Sequence, residues 1–179
     1  MTDALRRPPT DGTLRLEPLV EAHRAALGAA CAEDPDIWAI YSLSYGPAHF
    51  DASFTALIAN PRYAAFAILS DARLVGMTAY IAPDPARGVI EIGMSYIVPA
   101  VRGTGLNRRL KRLMIGHAFA CGYRRVEFRV DVRNARSQAA VARVGGVREG
   151  VMRQDRVTWT GHVRDTALFA ILKDEWRPA

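Results

Sequence analysis

The chain has 179 residues, half of them apolar, with a net charge of +6 and a mean hydropathy of −0.02. That size predicts one domain with a substantial core, and that composition excludes a disordered tail. No apolar run reaches the roughly 18 residues of a spanning helix, so no membrane partner is expected. The start, MTDALRRPPTDG, carries two arginines with no apolar stretch behind them. No secretory leader is expected, and a cytoplasmic protein is. Residues 1–12 read as a flexible start and 13–177 as the domain.

Leu14 and Leu16 alternate with polar neighbours and predict a strand over Thr13–Leu19. Val20–Ala32 has helical composition, ended by Glu33-Asp34-Pro35-Asp36, and Ala48–Ala59 is a second helix, stopped by Asn60-Pro61. Ile37–Tyr45, between them, is aromatic and matches neither period. Tyr63–Leu69 and Leu74–Ile81 are apolar runs joined by Ser70-Asp71-Ala72-Arg73, a hairpin signal. Pro83-Asp84-Pro85 breaks the second run, and Gly88–Val98 forms a third strand. A loop, Pro99–Gly105, then opens into a helix to about Cys121, striped by Leu106, Leu110, Leu113, Met114 and Ala118. Arg125–Val132 alternates as a half-buried strand. Ala135–Val144 is a helix ended by Gly145-Gly146, and strands over roughly 147–157 and 162–172 flank Thr158-Trp159-Thr160-Gly161. The order β-α-α-β-β-β-α-β-α-β-β predicts an α/β or α+β domain with a mostly antiparallel sheet.

The stretch Ile92–Cys121 carries the chemistry. A glycine-bearing loop feeding a helix N-terminus presents unpaired N–H groups and the positive end of the helix dipole, a seat for phosphate or pyrophosphate. Three phosphate-binding patterns compete. A P-loop needs GxxxxGK[ST], and no Lys-Ser/Thr pair follows here. A dinucleotide loop needs GxGxxG, and Arg108 stands where the third glycine belongs. The run Arg102-Gly103-Thr104-Gly105-Leu106-Asn107 instead resembles the pyrophosphate loop of the GCN5-related N-acetyltransferases (GNAT), Q/R-x-x-G-x-G/A. The resemblance extends to Glu91-Ile92-Gly93, Pro99, Asn134-x-x-Ser137, Ala139-Ala140-Val141, Gly145, Glu149-Gly150-Val151-x-Arg153, Arg164-Asp165 and Glu175-Trp176. Together these look like the RimJ/RimL, ribosomal-protein-alanine acetyltransferase branch. Asn107 departs from the pattern, replacing the last small residue of the loop.

The resemblance implies a GNAT fold: a twisted sheet of about seven strands, flanking helices, and a central strand pair that splays apart. It implies acetyl-CoA as co-substrate, with its pyrophosphate over the amides of Gly103, Thr104, Gly105, Leu106 and Asn107 and with Arg102 as a side-chain partner. Pantetheine would pair with the free strand edge near Tyr96 and Ile97, whose amides could also hold the thioester oxygen as it becomes an oxyanion. Asn134 matches the position that bonds the pantetheine arm. Ser137 matches the position close to the sulfur and is the candidate general acid. Glu91 is the candidate base; alternation groups it with Gly93, Ser95 and Ile97 on one face. An α-amine, with a pKa of roughly 7.7–8.0, needs only a modest base.

Each residue also has an ordinary reading. Glu91 could be an exposed strand carboxylate, Asn134 a helix N-cap with Ser137 in its first turn, and Trp38, Tyr41 and Tyr45 either acceptor-pocket or core aromatics. The four histidines show no metal spacing, and no metal is expected. Cys31 and Cys121 read as reduced, buried thiols. The implied activity is direct transfer of acetyl to a primary amine in a ternary complex. The acceptor is a protein N-terminus or a small amine such as an aminoacyl antibiotic or a polyamine. Whether the enzyme is a monomer or a homodimer stays open.

Charge distribution weighs the rival readings. Residues 1–101 hold 7 basic and 11 acidic side chains, residues 102–156 hold 14 and 4, and the rest hold 3 and 3. The positive segment begins at the phosphate loop. A basic nucleic-acid or ribosome-binding module lacks the aromatic-interleaved basic strands such modules use, so no nucleic-acid partner is expected. A non-catalytic acetyl-CoA sensor would not need Glu91, Asn134 and Ser137 together.

Overall fold

Val126, Phe128 and Val130 alternate with Glu127 and Arg129, and the strand they predict forms, its apolar residues buried. In the computed structural model, which describes residues 3–177 apart from Pro9, it is the fifth of seven. The strands are β1 (Leu14–Pro18), β2 (Tyr63–Ser70), β3 (Arg73–Asp84), β4 (Val89–Ile97), β5 (Arg125–Asp131), β6 (Val147–Val157) and β7 (Val163–Leu172). They make one sheet in the order β1-β2-β3-β4-β5-β7-β6. The helices are α1 (Arg24–Ala32), α2 (Phe50–Ala59), α3 (Leu106–Ala120) and α4 (Ala135–Ala142). The architecture is thus mixed α/β, a seven-stranded sheet with flanking helices, as the element order predicts.

Two tyrosines mark the two faces of the sheet. Tyr96 of β4 reaches α1, its hydroxyl donating to Ala30 O at 2.7 Å, while Tyr80 of β3 reaches α3, donating to Met114 O at 2.7 Å. Both rings are fully buried, so each hydroxyl needs this partner.

All neighbouring strands are antiparallel except β4 and β5, which are parallel and joined through α3. That pair holds together only over Val89–Glu91 against Arg125–Glu127 and then separates. Glu91 and Glu127 therefore face each other where the fork begins. Beyond it, β4 carries a bulge: Gly93 pairs with Ala79 and Tyr96 with Met77, so Met94 and Ser95 together oppose Thr78. Met94 absorbs the extra residue at φ +52°.

The bulge overturns the expected alternation. Glu91 and Gly93 share a face with Tyr96, toward α1. Ser95 turns to the α3 face, where its hydroxyl lies 2.8 Å from that of Thr78. One added residue reverses every side chain after it.

Three local expectations also change. β3 runs through Pro83 to Asp84, Ala82 taking φ +43° where the register slips. Ile37–Tyr45 is a 3-10 turn over Pro35–Ile40 followed by irregular chain, pinned by buried Trp38 and Tyr45. The start is not free where it is described: Leu5 is fully buried, and His117 on α3 bonds Ala4 O at 3.1 Å. Residues 1, 2 and 9 of that stretch lie outside the described residues.

Candidate active site

The fork between β4 and β5 opens into a cavity of about 750 Å³ that passes from one face of the sheet to the other. Tyr41, Arg62 and Glu91 line it on the α1/α2 side, and Lys111, Asn134 and Ser137 on the α3/α4 side. Only a gap in the sheet can bring these two sets together, and the early parting of β4 from β5 makes that gap.

Loop 102–105 stands at the fork's open end. Gly103 and Gly105 have φ +81° and +90°, and a Cβ on either would meet nothing within 4 Å. The start of α3 thus has open space at both glycines, with the Leu106 N–H donating to Thr104 Oγ1 at 3.4 Å and the next amides left toward a cradle that suits a pyrophosphate. Thr104 is turned inward, its hydroxyl donating to Val101 O at 2.8 Å.

Arg102 departs from its expected place as a phosphate partner. Its guanidinium pairs with Asp34, at the end of α1, and its Nε donates to Ile97 O at 2.8 Å. Arg102 therefore fastens the loop to β4 and α1 rather than pointing into the cradle. Arg108, exposed on the first turn of α3, has no ion pair among the described residues and is the basic side chain left for an anion there. Asn107 keeps its Oδ1 buried without a partner.

The strand edge shifts by one residue. Val98 N–H donates to Val75 O, so by alternation the backbone of Tyr96 also faces β3. The groups facing the fork belong to Ser95 and Ile97. Both carbonyls are engaged, Ser95 O by the Tyr41 hydroxyl at 2.7 Å and Ile97 O by Arg102. Their amides remain for a ligand. Tyr96 supports the site from beneath and does not line it.

Glu91 is four-fifths buried, and its Oε2 lies 3.4 Å from Arg129 Nε. Burial raises its pKa, and the cations of Arg129 and Arg156 hold that rise in check. A carboxylate whose pKa burial raises is a better proton acceptor than an exposed one, which suits a base. Asn134 is the N-cap of α4, its Oδ1 accepting the Ser137 N–H at 2.9 Å. This cap presents Ser137 toward the cavity and leaves the Asn134 amide nitrogen for a second partner. Tyr41 and Tyr45 line the cavity, whereas Trp38 is core, its Nε1 donating to Cys31 O.

Sequence reasoning missed Lys111. It is 6% exposed, stands over the Phe128 ring at 5.0 Å and has no carboxylate partner among the described residues. Burial alone pushes its pKa down to about 8. The signal was present: Lys111 precedes Ile115 by four residues and Ala118 by seven, which places it on the apolar arc of the helix.

This lysine has a measurable cost. Its folded pKa lies below its unfolded one, so the unfolded chain binds more protons between about pH 8 and 10.5. The penalty is complete below pH 8 and fades as pH rises toward 10.5. Lys111→Met should therefore be more stable than the parent by about 3 kcal/mol at pH 7, the gap closing near pH 10.5. Urea unfolding of both proteins at pH 7, 8.5 and 10 measures it. A gap independent of pH would refute the assignment.

The family model described as an acetyltransferase (GNAT) domain matches residues 13–147. The chain belongs to the GNAT family of acetyltransferases. A GCN5-related N-acetyltransferase from Brucella melitensis is 31% identical, with a TM-score of 0.87 over 96% of this chain and 80% of that one. Two more distant structures share the GNAT fold. An acetyl transferase from Salmonella typhimurium that modifies the N-terminal serine of ribosomal protein L7/L12 is 20% identical, with a TM-score of 0.81 over 92% of this chain and 97% of that one. Mycobacterium smegmatis RimJ, solved with CoA-disulfide, is 21% identical, with a TM-score of 0.78 over 93% and 85%. No curated protein matches the chain. As a GNAT enzyme it is an N-acetyltransferase, and acetyl-CoA is the donor this family uses.

Proposed function

We propose that this enzyme joins acetyl-CoA and a primary amine in one ternary complex and transfers the acetyl group by direct attack. The observation that carries the reading is the cavity crossing the sheet at the fork. Its α3/α4 side offers Asn134 and Ser137 to the coenzyme, with loop 102–105 at the fork's open end, and its α1/α2 side offers Glu91 to the amine. Acetyl-CoA supplies an activated carbonyl with a thiolate leaving group. Glu91 takes the proton that the amine sheds, directly or through a water, while Arg129 beside it favours the charged carboxylate. Ser137 faces the departing sulfur as its proton donor, and the amides of Ser95 and Ile97 receive the carbonyl oxygen as charge builds on it. Cys31 is buried with a pKa raised to about 12, so a covalent acetyl-cysteine there has no support.

The acceptor is a protein N-terminal α-amine or a small amine, in line with the RimJ/RimL-like motifs. Arg62, Arg129, Arg156 and Arg164 line the acceptor side of the cavity. Glu91 and Glu127 line it as well, Arg129 lying beside both, so the cavity offers an acceptor charges of either sign.

Binding is tested by thermal unfolding with CoA, acetyl-CoA and short duplex RNA. A ligand at 100 times its Kd adds about 2.7 kcal/mol, which raises the melting temperature of a chain this size by roughly 5–10 °C. Both CoA species should do so and RNA should not; stabilisation by RNA alone would sink the reading. Ser137→Ala should lower kcat about tenfold and Glu91→Gln about 100-fold at neutral pH, each with CoA affinity retained. If both turn over at the parental rate, the chemical roles are misassigned.

A further inference from the structure

The mechanism above leaves a buried cation unused. Lys111 projects from the second turn of α3 toward β5, level with Phe128, the residue just past the fork's closed end. It shares the α3/α4 side of the cavity with Ser137. Among the described residues no carboxylate compensates it. Glu91 and Glu127 lie on the opposite face with Arg129, and Asp131 is held by Arg133 at 2.8 Å. A buried ammonium without a partner is expensive, and a chain that uses lysine only twice places one here. The cost makes sense if the charge is used when the cavity is filled.

The acetyl-transfer reading supplies the use. A serine hydroxyl can pass a proton along, but it holds its own almost as tightly as water does and cannot by itself acidify a thiolate. A neighbouring acid must refill it. We propose that Lys111 is the source of the proton taken up by the departing CoA sulfur, with Ser137 Oγ handing it across. The C–N bond forms as the amine attacks, and the C–S bond breaks with its electron pair going to sulfur. That thiolate takes the Ser137 proton, and Ser137 takes one from the Lys111 ammonium through water in the cavity that both line. The proton lost by the new amide nitrogen leaves through Glu91, and the neutral Lys111 amine is recharged from solvent. Net, amine and acetyl-CoA become amide and CoA. An ammonium whose pKa burial has brought to about 8 sits close to an ordinary thiol at about 8.5, the match that proton transfer favours. In this scheme Lys111 is a positioning residue acting through Ser137.

The inference rests on the acetyl-CoA reading, and its tests separate the two. With only two lysines in the chain, NMR of 13C-lysine-labelled protein resolves both side chains. In the ligand-free protein Lys111 should titrate near 8. CoA should raise the Lys111 pKa by stabilising a thiolate–ammonium pair, and desulfo-CoA, which lacks only the sulfur, should bind without doing so. Lys111→Met should lose roughly tenfold in kcat, as Ser137→Ala does, while its Kd for CoA stays within threefold. Lys111→Arg should be equally slow, because a guanidinium keeps a charge but does not release a proton. Combining Lys111→Met with Ser137→Ala should be no worse than Lys111→Met alone. Parental kcat in Lys111→Arg, or a Lys111 signal indifferent to the CoA sulfur, would overturn the proton role while leaving acetyl-CoA binding intact. Failure of CoA to bind the parent would overturn both.

Discussion

Gly105→Asp is expected to lose at least 100-fold in affinity for CoA and acetyl-CoA while the protein stays folded. Gly105 is the N-cap of α3, at φ +90°, with open space where a Cβ would go. Aspartate is a good capping residue and among the better-tolerated ones at positive φ, so the helix keeps its start. The same carboxylate would sit where the proposed pyrophosphate needs the helix amides, competing for their N–H groups and repelling the ligand. Losing one or two charge-assisted hydrogen bonds costs about 3 kcal/mol, or roughly two decades of affinity. Gly105→Ala is the control, since it adds the backbone strain without the charge and should weaken binding far less. Calorimetric titration of both variants with CoA, beside their melting curves, decides the matter. Equal affinities in Gly105→Asp and the parent would remove the loop as the phosphate seat.

The second large effect is on stability. A Cβ on Gly76 would lie 2.0 Å from the carbonyl oxygen of Tyr96, a backbone atom with no freedom to withdraw. Gly76→Ala should therefore cost more than about 4 kcal/mol, against the 5–15 kcal/mol that holds a typical domain together. The damage should not stay local. Tyr96 O lies between Ser95 and Ile97, whose amides face the fork, and pushing β3 from β4 moves them. A folded remnant should show weakened CoA binding as well as a lowered urea midpoint. A loss below about 1 kcal/mol would mean that β3 and β4 can separate more freely than their register implies.

The uneven legibility of the site follows from which signals are local. The starts of α3 and α4, the Gly103–Gly105 loop and the Asn134–Ser137 cap are written within a few residues, and the sequence placed all of them, whereas α1 begins at Arg24 rather than Val20. Alternation along β4 was equally plain but misleading past Gly93. The bulge at Met94 carries no local mark, because it arises from how β4 settles against β3. For the same reason Arg102 was expected at the phosphate: only the folded chain brings Asp34, 68 residues earlier, within reach of its guanidinium. Lys111 was overlooked in another way. Its helical position was apolar while its chemistry was not, and a lysine on a core-facing arc marks a cavity only when the other walls are known.

The net charge of +6 illustrates the division between the two levels. Sequence alone located the excess in residues 102–156 and tied its beginning to a phosphate-type loop, because loop, helix start and charge are neighbours in the chain. It also determined the element order, and through the motifs the acetyltransferase family. Tertiary structure decided where those charges act. Arg102 became an anchor, Arg129 a counter-charge for Glu91, and Lys111 a buried, uncompensated cation beside the fork. The fork itself belongs to that second level, since the point where two strands part depends on what each packs against and on nothing written in either strand.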